Sequence, residues 1–240
     1  MYQPIGHKVE KMFSGIALKY DFLNHLLSFG LDFLWRKALV NKVKKIKPRT
    51  VLDLATGSGD VAFSLRKSLD SSIPILAQDF CEPMLEQARI KQRSIPQQGP
   101  LKFEFGDCMD LTLEDTSFDA ITISFGVRNF ENRVQGFREM HRVLDNDGSL
   151  FILEFSQPYQ WFKPIYFIYL KYILPTIAGL ITKDKKAYKY LAGTIESFPT
   201  KESLSEQLRE AGFQKISTKS LTFSTVVTVS YTHLRAHETR

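Results

Sequence analysis

The 240-residue sequence contains only two cysteines, Cys81 and Cys108, and neither lies at metal-ligand spacing from another cysteine or from a histidine. We therefore expect no disulfide framework and no metal site, and a reducing compartment suits two free thiols. The first ten residues lack a charged segment followed by an apolar run, so we expect no secretion signal. Repeats and low-complexity linkers are also lacking, and this length predicts one domain with a sizeable core.

Neither charge nor hydrophobicity runs to an extreme. Lys and Arg number 32 against 26 Asp and Glu, and the resulting net charge of +6 is too small to identify an acidic partner, so we expect no nucleic acid. The most apolar segment, 164–181, is interrupted by Lys171 and Pro175. Its tyrosines suit an interface better than a bilayer centre, so we expect no membrane span. These features favour a cytoplasmic protein.

Apolar residues recur at helical spacing over 1–47, which predicts a helical N-terminal extension. Over 48–156, short apolar runs alternate with helical segments, as in a doubly wound, mostly parallel α/β sheet with helices on both faces. An aromatic-rich helical insertion over 157–199 breaks this alternation, and a helix with two further strands follows over 200–230. The atypical segment 231–240 is expected to be a non-native tail, in which His233 and His237 have no role.

A glycine loop joins the first predicted strand to the helix that follows it. Gly57 and Gly59 allow unusual backbone angles and the close approach of a ligand. Twenty positions after Gly59, at the end of the next apolar run, Asp79 can bind the two hydroxyls of a ribose. The spacing therefore predicts an adenosine-containing cofactor.

Two such cofactors fit this loop, because Gly57, Gly59 and Ala62 also satisfy the dinucleotide pattern of NAD enzymes. The carboxylates of Asp53 and Asp60 would repel a pyrophosphate at the helix N-terminus. They suit S-adenosylmethionine, which carries a cationic ammonium and sulfonium and no phosphate. Asp60 as a plain helix cap is the alternative interpretation.

Residues at the next two strand ends are expected to complete the cofactor site. Asp107 can accept the adenine amino group, Cys108 is small enough to lie against the ring, and Ser124 ends the fourth strand. Ligands in such sheets bind beyond the carboxyl ends of the strands, so these residues should converge with Gly57 and Asp79 on one crevice. Asp107 as a turn former remains the alternative.

Several separated motifs resemble the ubiquinone/menaquinone biosynthesis C-methyltransferase family over roughly residues 10 to 227. They are Phe13-Ser14-Gly15-Ile16-Ala17-Leu18-Lys19-Tyr20-Asp21 with Asn24, the segment 51–60, Ile123-Ser124-Phe125-Gly126-Val127-Arg128-Asn129, Leu153-Glu154-Phe155-Ser156-Gln157-Pro158, and Tyr188-Lys189-Tyr190-Leu191 followed by Ser197. The resemblance implies a class I methyltransferase, Rossmann-like fold. It also implies S-adenosylmethionine-dependent methylation of a prenylated quinol, demethylmenaquinol or the benzoquinol of ubiquinone synthesis, with these cofactor contacts: Ser58, Asp79, Asp107, Cys108 and Ser124.

For catalysis, the positive charge of Arg128 could stabilise an ionised quinol oxygen or order a water that removes the proton. A salt bridge from Arg128 to a surface acid is the alternative. Tyr20 and Asp21 are expected to fold over the cofactor with the N-terminal extension, unless Tyr20 only packs and Asp21 only caps a helix.

The insertion is interpreted as a lid that admits a polyprenyl tail and contacts the inner face of the membrane peripherally, or else as a simple cap or a homodimer face. An NAD-dependent oxidoreductase and a methyltransferase for another lipophilic aromatic acceptor remain the alternative functions.

Overall fold

The computed structural model describes residues 9–11, 14–15, 25, 28–96, 99–182 and 185–232, without the side chains of 178, 180–182, 185–188 and 232. Its strands are β1 (Val51–Leu54), β2 (Ile75–Asp79), β3 (Leu101–Phe105), β4 (Phe118–Ser124), β5 (Leu144–Phe155), β6 (Ile216–Leu221) and β7 (Val226–Thr232). They form one sheet in the order β3-β2-β1-β4-β5-β7-β6. β1 to β5 pair in parallel and β7 is antiparallel to both of its neighbours. The predicted doubly wound, mostly parallel sheet is confirmed.

The described helices are α1 (Leu31–Lys45), α2 (Asp60–Ser68), α3 (Glu82–Ser94), α4 (Arg133–Val143), α5 (Lys163–Ile168), α6 (Leu174–Thr182), α7 (Lys185–Ser197) and α8 (Lys201–Glu210). One face of the sheet packs against α1 and α2, which contribute Leu39 and Leu65 to the core. The other face packs against α4 and α8 through Phe137 and Leu208. Helices thus cover both faces, which explains why the parallel strands are apolar on both sides.

The insertion consists of α5, a π-helical turn at Tyr169–Ile173, α6 and α7. Gln157 ties its two ends together, because its side-chain amide donates to the carbonyl oxygens of Ile195 and Phe198, both at 3.2 Å. Among the helices of the described ranges, none has the length and apolarity that crossing a bilayer requires.

The sequence predicts strands over 149–155, 213–219 and 221–229, and these bounds were wrong. β5 begins earlier, at Leu144, directly after α4. β6 begins at Ile216 and β7 at Val226, and Thr222, Phe223 and Ser224, which all have positive φ angles, form a turn between them. β7 extends to Thr232 and buries Tyr231, whose ring centroid lies 4.9 Å from that of Phe213, so residues 231 and 232 belong to the sheet. That the segment 231–240 is a non-native tail stays a prediction. His233 and His237 lie outside the described residues.

Candidate active site

A cavity that opens to solvent lies at the carboxyl ends of the first four strands, and its empty space, with the open solvent at its mouth included, is about 750 Å³. It is lined by Ala55, Gly57, Asp79, Phe80, Cys81, Met84, Asp107, Cys108, Met109, Ser124, Phe125, Gly126, Asn129, Phe130 and Glu131. The expected convergence is therefore present: the lining includes predicted cofactor residues from all four strand ends.

The glycine loop shapes one wall of this cavity. Gly57 and Gly59 have φ angles of 57° and 88°, in the left-handed region that favours glycine. Only Gly57 lines the cavity. A Cβ on Gly59 would lie 2.8 Å from the Phe63 ring and 2.9 Å from the Phe103 ring, so Gly59 allows the loop to pack against its neighbours instead of facing a ligand.

Asp53 and Ser58 lie behind the loop and not in the cavity lining. The two carboxylate oxygens of Asp53 accept hydrogen bonds from Thr56 and Thr122, each at 2.6 Å. Burial raises the pKa of Asp53 to about 6, although both hydroxyls oppose this shift. Ser58 is buried, and its carbonyl oxygen accepts from Lys91 at 3.0 Å. In the structure these two residues support the loop from behind the cavity lining, and their contact with the cofactor stays a prediction.

Asp79 ends β2 within the cavity wall. Its carboxylate accepts from the backbone N–H groups of Gly57 at 2.7 Å and Cys81 at 2.8 Å, which aims it along the glycine loop. Burial raises the pKa of Asp79 to about 6, against the effect of these hydrogen bonds. The placement agrees with a ribose-binding carboxylate.

At the next strand ends, Asp107 accepts from the backbone N–H of Met109 at 2.9 Å, so it forms a local turn while it also lines the cavity. Cys108 is buried beside it, and burial strongly raises the pKa of its thiol. Ser124 lines the cavity with a buried hydroxyl that has no hydrogen-bond partner among the described residues. An unsatisfied buried hydroxyl at a cavity wall is a place where a ligand can bind.

Close backbone approach also shapes the cavity. A Cβ on Gly126 would lie 2.5 Å from the Cβ of Ala55, so the loops after β1 and β4 can meet only because residue 126 is glycine. Two lining residues, Ala55 and Phe125, have φ angles of 49° and 56°. Such strained residues concentrate at functional sites.

Asp60 already has two cationic partners. Its carboxylate is 2.8 Å from Arg36 and 3.0 Å from Lys91, which balance its charge, and its expected effect on the choice of cofactor stays a prediction. The negative charge of the cavity lining comes from other residues. Its lining contains Asp79, Asp107 and Glu131 but, among the described residues, no Lys, Arg or His. A lining of this sign attracts a cationic cofactor and repels a pyrophosphate, so the residues present fit S-adenosylmethionine.

Arg128 lies in the 3₁₀ turn Val127–Asn129 after β4 and is buried. Its guanidinium lies 3.1 Å from Glu154, a fully buried residue of β5, and also donates to the carbonyl oxygen of Phe125. The acid that pairs with Arg128 is therefore in the core and not at the surface. Arg128 does not line the cavity, and its catalytic role stays a prediction.

The sequence interpretation missed Glu154. Its carboxylate also accepts from the backbone N–H groups of Arg128 at 3.2 Å and Phe155 at 2.8 Å. Burial raises the pKa of Glu154 and the Arg128 charge lowers it. The sequence signal that could have identified Glu154 is an acidic residue within the apolar run of β5, since a charge in a buried strand requires a partner.

Tyr20 and Asp21 lie outside the described residues. Other parts of the N-terminal extension do reach the site: the Ser14 hydroxyl lies 3.6 Å from the Cys81 sulfur, beside Asp79. His25 Nδ1 lies 2.6 Å from Asp32, which also pairs with Arg36. A chain of polar contacts thus joins the extension through Asp32 and Arg36 to Asp60, next to the glycine loop.

Comparison with known proteins finds one matching family model and relatives that align over most of the chain. The model of the ubiE/COQ5 methyltransferase family matches residues 2–233. A Geotalea uraniireducens protein named ubiquinone/menaquinone biosynthesis C-methyltransferase UbiE is 39% identical over 218 residues, which are 90% of this chain and 92% of that one. A Bacteroides fragilis demethylmenaquinone methyltransferase is 39% identical over 219 residues, 91% of this chain and 89% of that one.

Solved structures agree on the fold. A putative S-adenosyl-L-methionine-dependent methyltransferase from Methanococcus maripaludis aligns with a TM-score of 0.64 and 18% identity, over 92% of this chain and 94% of that one. A SAM-dependent methyltransferase from Aquifex aeolicus aligns with a TM-score of 0.57 and 18% identity, over 80% and 88% of the two chains. The class I methyltransferase fold is therefore confirmed.

Proposed function

Because the chain belongs to the ubiE/COQ5 methyltransferase family and is an S-adenosylmethionine-dependent methyltransferase, we propose that it methylates a ring carbon of a prenylated quinol. The names of its relatives favour demethylmenaquinol as the acceptor, with the benzoquinol of ubiquinone synthesis as a second substrate. The observation that carries the proposal is the cavity lined by three acidic and no basic described residues, because a cavity of that sign suits a sulfonium cofactor.

In this proposal, Asp79 holds the ribose hydroxyls, Asp107 accepts the adenine amino group, and Cys108 lies against the adenine ring. Ser124 supplies the free hydroxyl at the reacting end of the cavity. When bound, S-adenosylmethionine supplies an electrophilic methyl group on a cationic sulfonium. The protein must then hold the acceptor carbon in line and make it electron-rich.

The protein must assist ionisation of the quinol hydroxyl at neutral pH. A quinol hydroxyl resembles tyrosine, with a pKa of about 10, so ionising it at pH 7 costs about 4 kcal/mol. We assign Arg128 to stabilise the developing charge on that oxygen. Tyr20 and Asp21 are proposed to close over the cofactor and exclude water, as the contact of Ser14 with Cys81 supports.

We propose that the extension, the core and the insertion act as one domain. Contacts from both additions support this. Ser14 of the extension meets Cys81, and Tyr190 of the insertion lies with its hydroxyl 3.2 Å from the side-chain oxygen of Asn129. Since Cys81 and Asn129 both line the cavity, each addition contacts a different wall of the same site.

The assay for this proposal is transfer of a labelled methyl group from S-adenosylmethionine to prenylated demethyl-naphthoquinol and benzoquinol, followed by mass spectrometry of the product. We expect a new carbon-bound methyl group on at least one quinol. Product from neither quinol would contradict the acceptor assignment. Calorimetry with S-adenosylmethionine and NADH, side by side, tests the cofactor, and we expect heat of binding only from the former.

The finer proposal is that the protein meets its lipophilic acceptor at a membrane surface. Six exposed apolar side chains, here called the apolar patch, lie at the start of α1 and on the insertion: Phe29, Phe33, Leu34, Trp161, Ile165 and Ile168, with exposures from 55 to 78%. The ring of Phe29 lies 5.8 Å from that of Tyr169, which joins the two parts. Exposed apolar side chains on a chain of net charge +6 suit an anionic lipid surface.

Co-sedimentation with phosphatidylcholine vesicles, with and without phosphatidylglycerol, tests this surface. Ile168→Glu should weaken binding at least about tenfold, because a buried isoleucine contributes about 1.5–3 kcal/mol. Ile90→Glu is the matched control, since Ile90 is 48% exposed on α3, outside the patch. Equal loss in both variants, or light scattering that shows a dimer broken only by Ile168→Glu, would contradict the membrane assignment.

A further inference from the structure

The glycine loop is held from outside the cavity by a network of charged side chains. Lys91 of α3 donates to the Ser58 carbonyl oxygen and to the Asp60 carboxylate, both at 3.0 Å. The other oxygen of that carboxylate lies 2.8 Å from a guanidinium nitrogen of Arg36 on α1. Because Ser58 follows Gly57, which lines the cavity, the network ends beside the cofactor site.

The same guanidinium also holds the turn through which the N-terminal segment, the chain before α1, enters that helix. A second nitrogen of Arg36 pairs with the carboxylate of Asp32 in the first turn of α1. One oxygen of this carboxylate accepts from the Ser28 hydroxyl and the other lies against His25 Nδ1, each at 2.6 Å. Asp32 thus anchors the turn, and Arg36 links this anchor to the glycine loop.

The shape of a guanidinium makes the link stiff. Its nitrogens lie in one plane at fixed angles, so a carboxylate bound to one nitrogen fixes the direction in which the other donates. Asp32 and Arg36 are both buried, which protects their pairing from screening by salt. The Phe33 ring stacks on the His25 ring at 4.3 Å and lies 5.3 Å from the guanidinium carbon of Arg36. A displacement of the turn would therefore move the donor on which Asp60 depends.

The N-terminal segment also reaches the cavity directly. The Ser14 hydroxyl lies 3.6 Å from the sulfur of Cys81, and the Cys81 N–H donates to the Asp79 carboxylate at 2.8 Å. The same carboxylate accepts from the N–H of Gly57 in the loop at 2.7 Å. The segment therefore meets the cofactor site at two places, through Cys81 and through Arg36.

We propose that Arg36 is a positioning residue for the cofactor site and couples docking of the N-terminal segment to the shape of the glycine loop. Cofactor binding then strengthens docking, and docking strengthens cofactor binding by the same factor, because coupling between two sites is reciprocal. Two carboxylates and two cations cancel in this network, and buried ion pairs add little net folding free energy because desolvation offsets their attraction. The network serves to fix positions, whichever acceptor the protein methylates.

Calorimetry with S-adenosylhomocysteine tests the coupling, because this probe occupies the cofactor site without turnover. Arg36→Met should weaken its binding about 5- to 150-fold, the usual range for coupled sites. Asp32→Asn should weaken binding in the parent but not further in Arg36→Met, since the path is then already cut. Arg66→Met is the matched control and should bind normally, because Arg66 is a buried arginine that donates to main-chain carbonyl oxygens at the end of α2 away from the loop.

Amide hydrogen exchange supplies a readout that a purely structural role of Arg36 would not change. In the parent, saturating S-adenosylhomocysteine should slow exchange of the Gly30 amide, which bonds to the His25 carbonyl oxygen, about fivefold or more. In Arg36→Met this slowing should disappear. The Ile73 amide, which bonds to Asp70 in a turn before β2, is the reference for general stabilisation by the ligand.

Three results would overturn the coupling. One is a Gly30 amide that the ligand slows no more than the Ile73 amide in the parent. Another is a set of additive affinity losses in Asp32→Asn and Arg36→Met, and the third is an equal loss in Arg36→Met and the Arg66 control. If Arg36→Met does not fold, Arg36→Lys takes its place, because it keeps the charge and loses the planar fork, and full affinity there would also contradict the role of the guanidinium.

Discussion

The carboxyl ends of β1 and β2 and the carboxyl end of β4 border the same cavity but satisfy their polar groups differently. At the first two, the Asp53 carboxylate is held by two threonine hydroxyls and the Asp79 carboxylate by two backbone N–H groups. At the β4 end, the Ser124 hydroxyl and Nε of Arg128 are buried and have no hydrogen-bond partner among the described residues, as is also true of Oε1 of Gln78 on β2. The two carboxylates at the cofactor end are thus held by the protein itself, whereas at the β4 end the Ser124 hydroxyl lines the cavity without such a partner.

The packing and the solvent exposure around these two ends of the cavity also differ. The cofactor end is packed by core residues such as Leu85 and Phe103, and the glycine loop is fixed from both sides through Lys91 and Arg36. The insertion beside the β4 end leaves Trp161 and Ile165 more than half exposed. A lipophilic acceptor requires an open apolar approach, whereas a small polar cofactor requires a fixed set of donors and acceptors. Each end has the properties its proposed ligand requires.

Breaking the Arg128–Glu154 pair should have the largest effect. Arg128→Met should lower the rate of methyl transfer about 10²–10³-fold, with cofactor affinity nearly retained. The substitution removes the positive charge that is proposed to stabilise the developing quinol anion. The defect should shrink between pH 7 and pH 10. The substitution also leaves a fully buried carboxyl without its partner, which costs about 3–5 kcal/mol of folding stability.

The double variant Arg128→Met/Glu154→Gln separates these two effects. It removes the unpaired charge and keeps an acceptor for the backbone N–H groups, so it should recover stability in urea denaturation but not the rate. Recovery of the rate would show that Arg128 acts through folding alone, and a single variant with full activity at every pH would end its catalytic assignment.

Removing a carboxylate at the cofactor end should have an intermediate effect. Asp79→Ala should weaken S-adenosylmethionine by about 1.5–3 kcal/mol, the range for hydrogen bonds to a charged group. Calorimetry should show this loss, while Asp70→Ala, an exposed position before β2, should bind normally. Unchanged affinity in Asp79→Ala would exclude Asp79 from the cofactor site.

The smallest effect concerns the pH dependence of folding. Burial raises the pKa of Asp53 from 3.8 to about 6, so the folded state binds its proton more tightly than the unfolded state. The stability from this group is fully present below pH 3.8 and is lost as pH rises through about 6. Asp53→Asn cannot titrate, and the hydroxyls of Thr56 and Thr122 can rotate to bond its amide.

We therefore expect denaturation of Asp53→Asn, measured from pH 4 to pH 8, to show a smaller loss of stability with rising pH than the parent. Asp79, whose pKa is also raised to about 6, should account for the remaining slope. Parallel curves for the two proteins would mean that Asp53 is not the titrating group.

Much of the core architecture was predictable because it depends on local pattern. The sequence predicts the first four strands over 50–54, 74–79, 101–105 and 120–124, within two residues of β1 to β4, and Gly57 between β1 and α2. The turn between β6 and β7 was not predictable from the sequence, because Thr222, Phe223 and Ser224 adopt positive φ angles that their residue types disfavour. Only the packing around them stabilises such angles.

The sequence by itself determined the order of strands and helices, the glycine loop and the position of Asp79 at a strand end, since each follows from periodicity and from the backbone freedom of glycine. Tertiary structure decided which charges face the ligand. Asp60 meets Arg36 from α1 and Lys91 from α3, while Arg128 meets Glu154 from β5. These partners lie far apart in the chain, and electrostatic interaction depends on distance in space, so only the fold could show which acidic groups are already paired and which remain in the cavity.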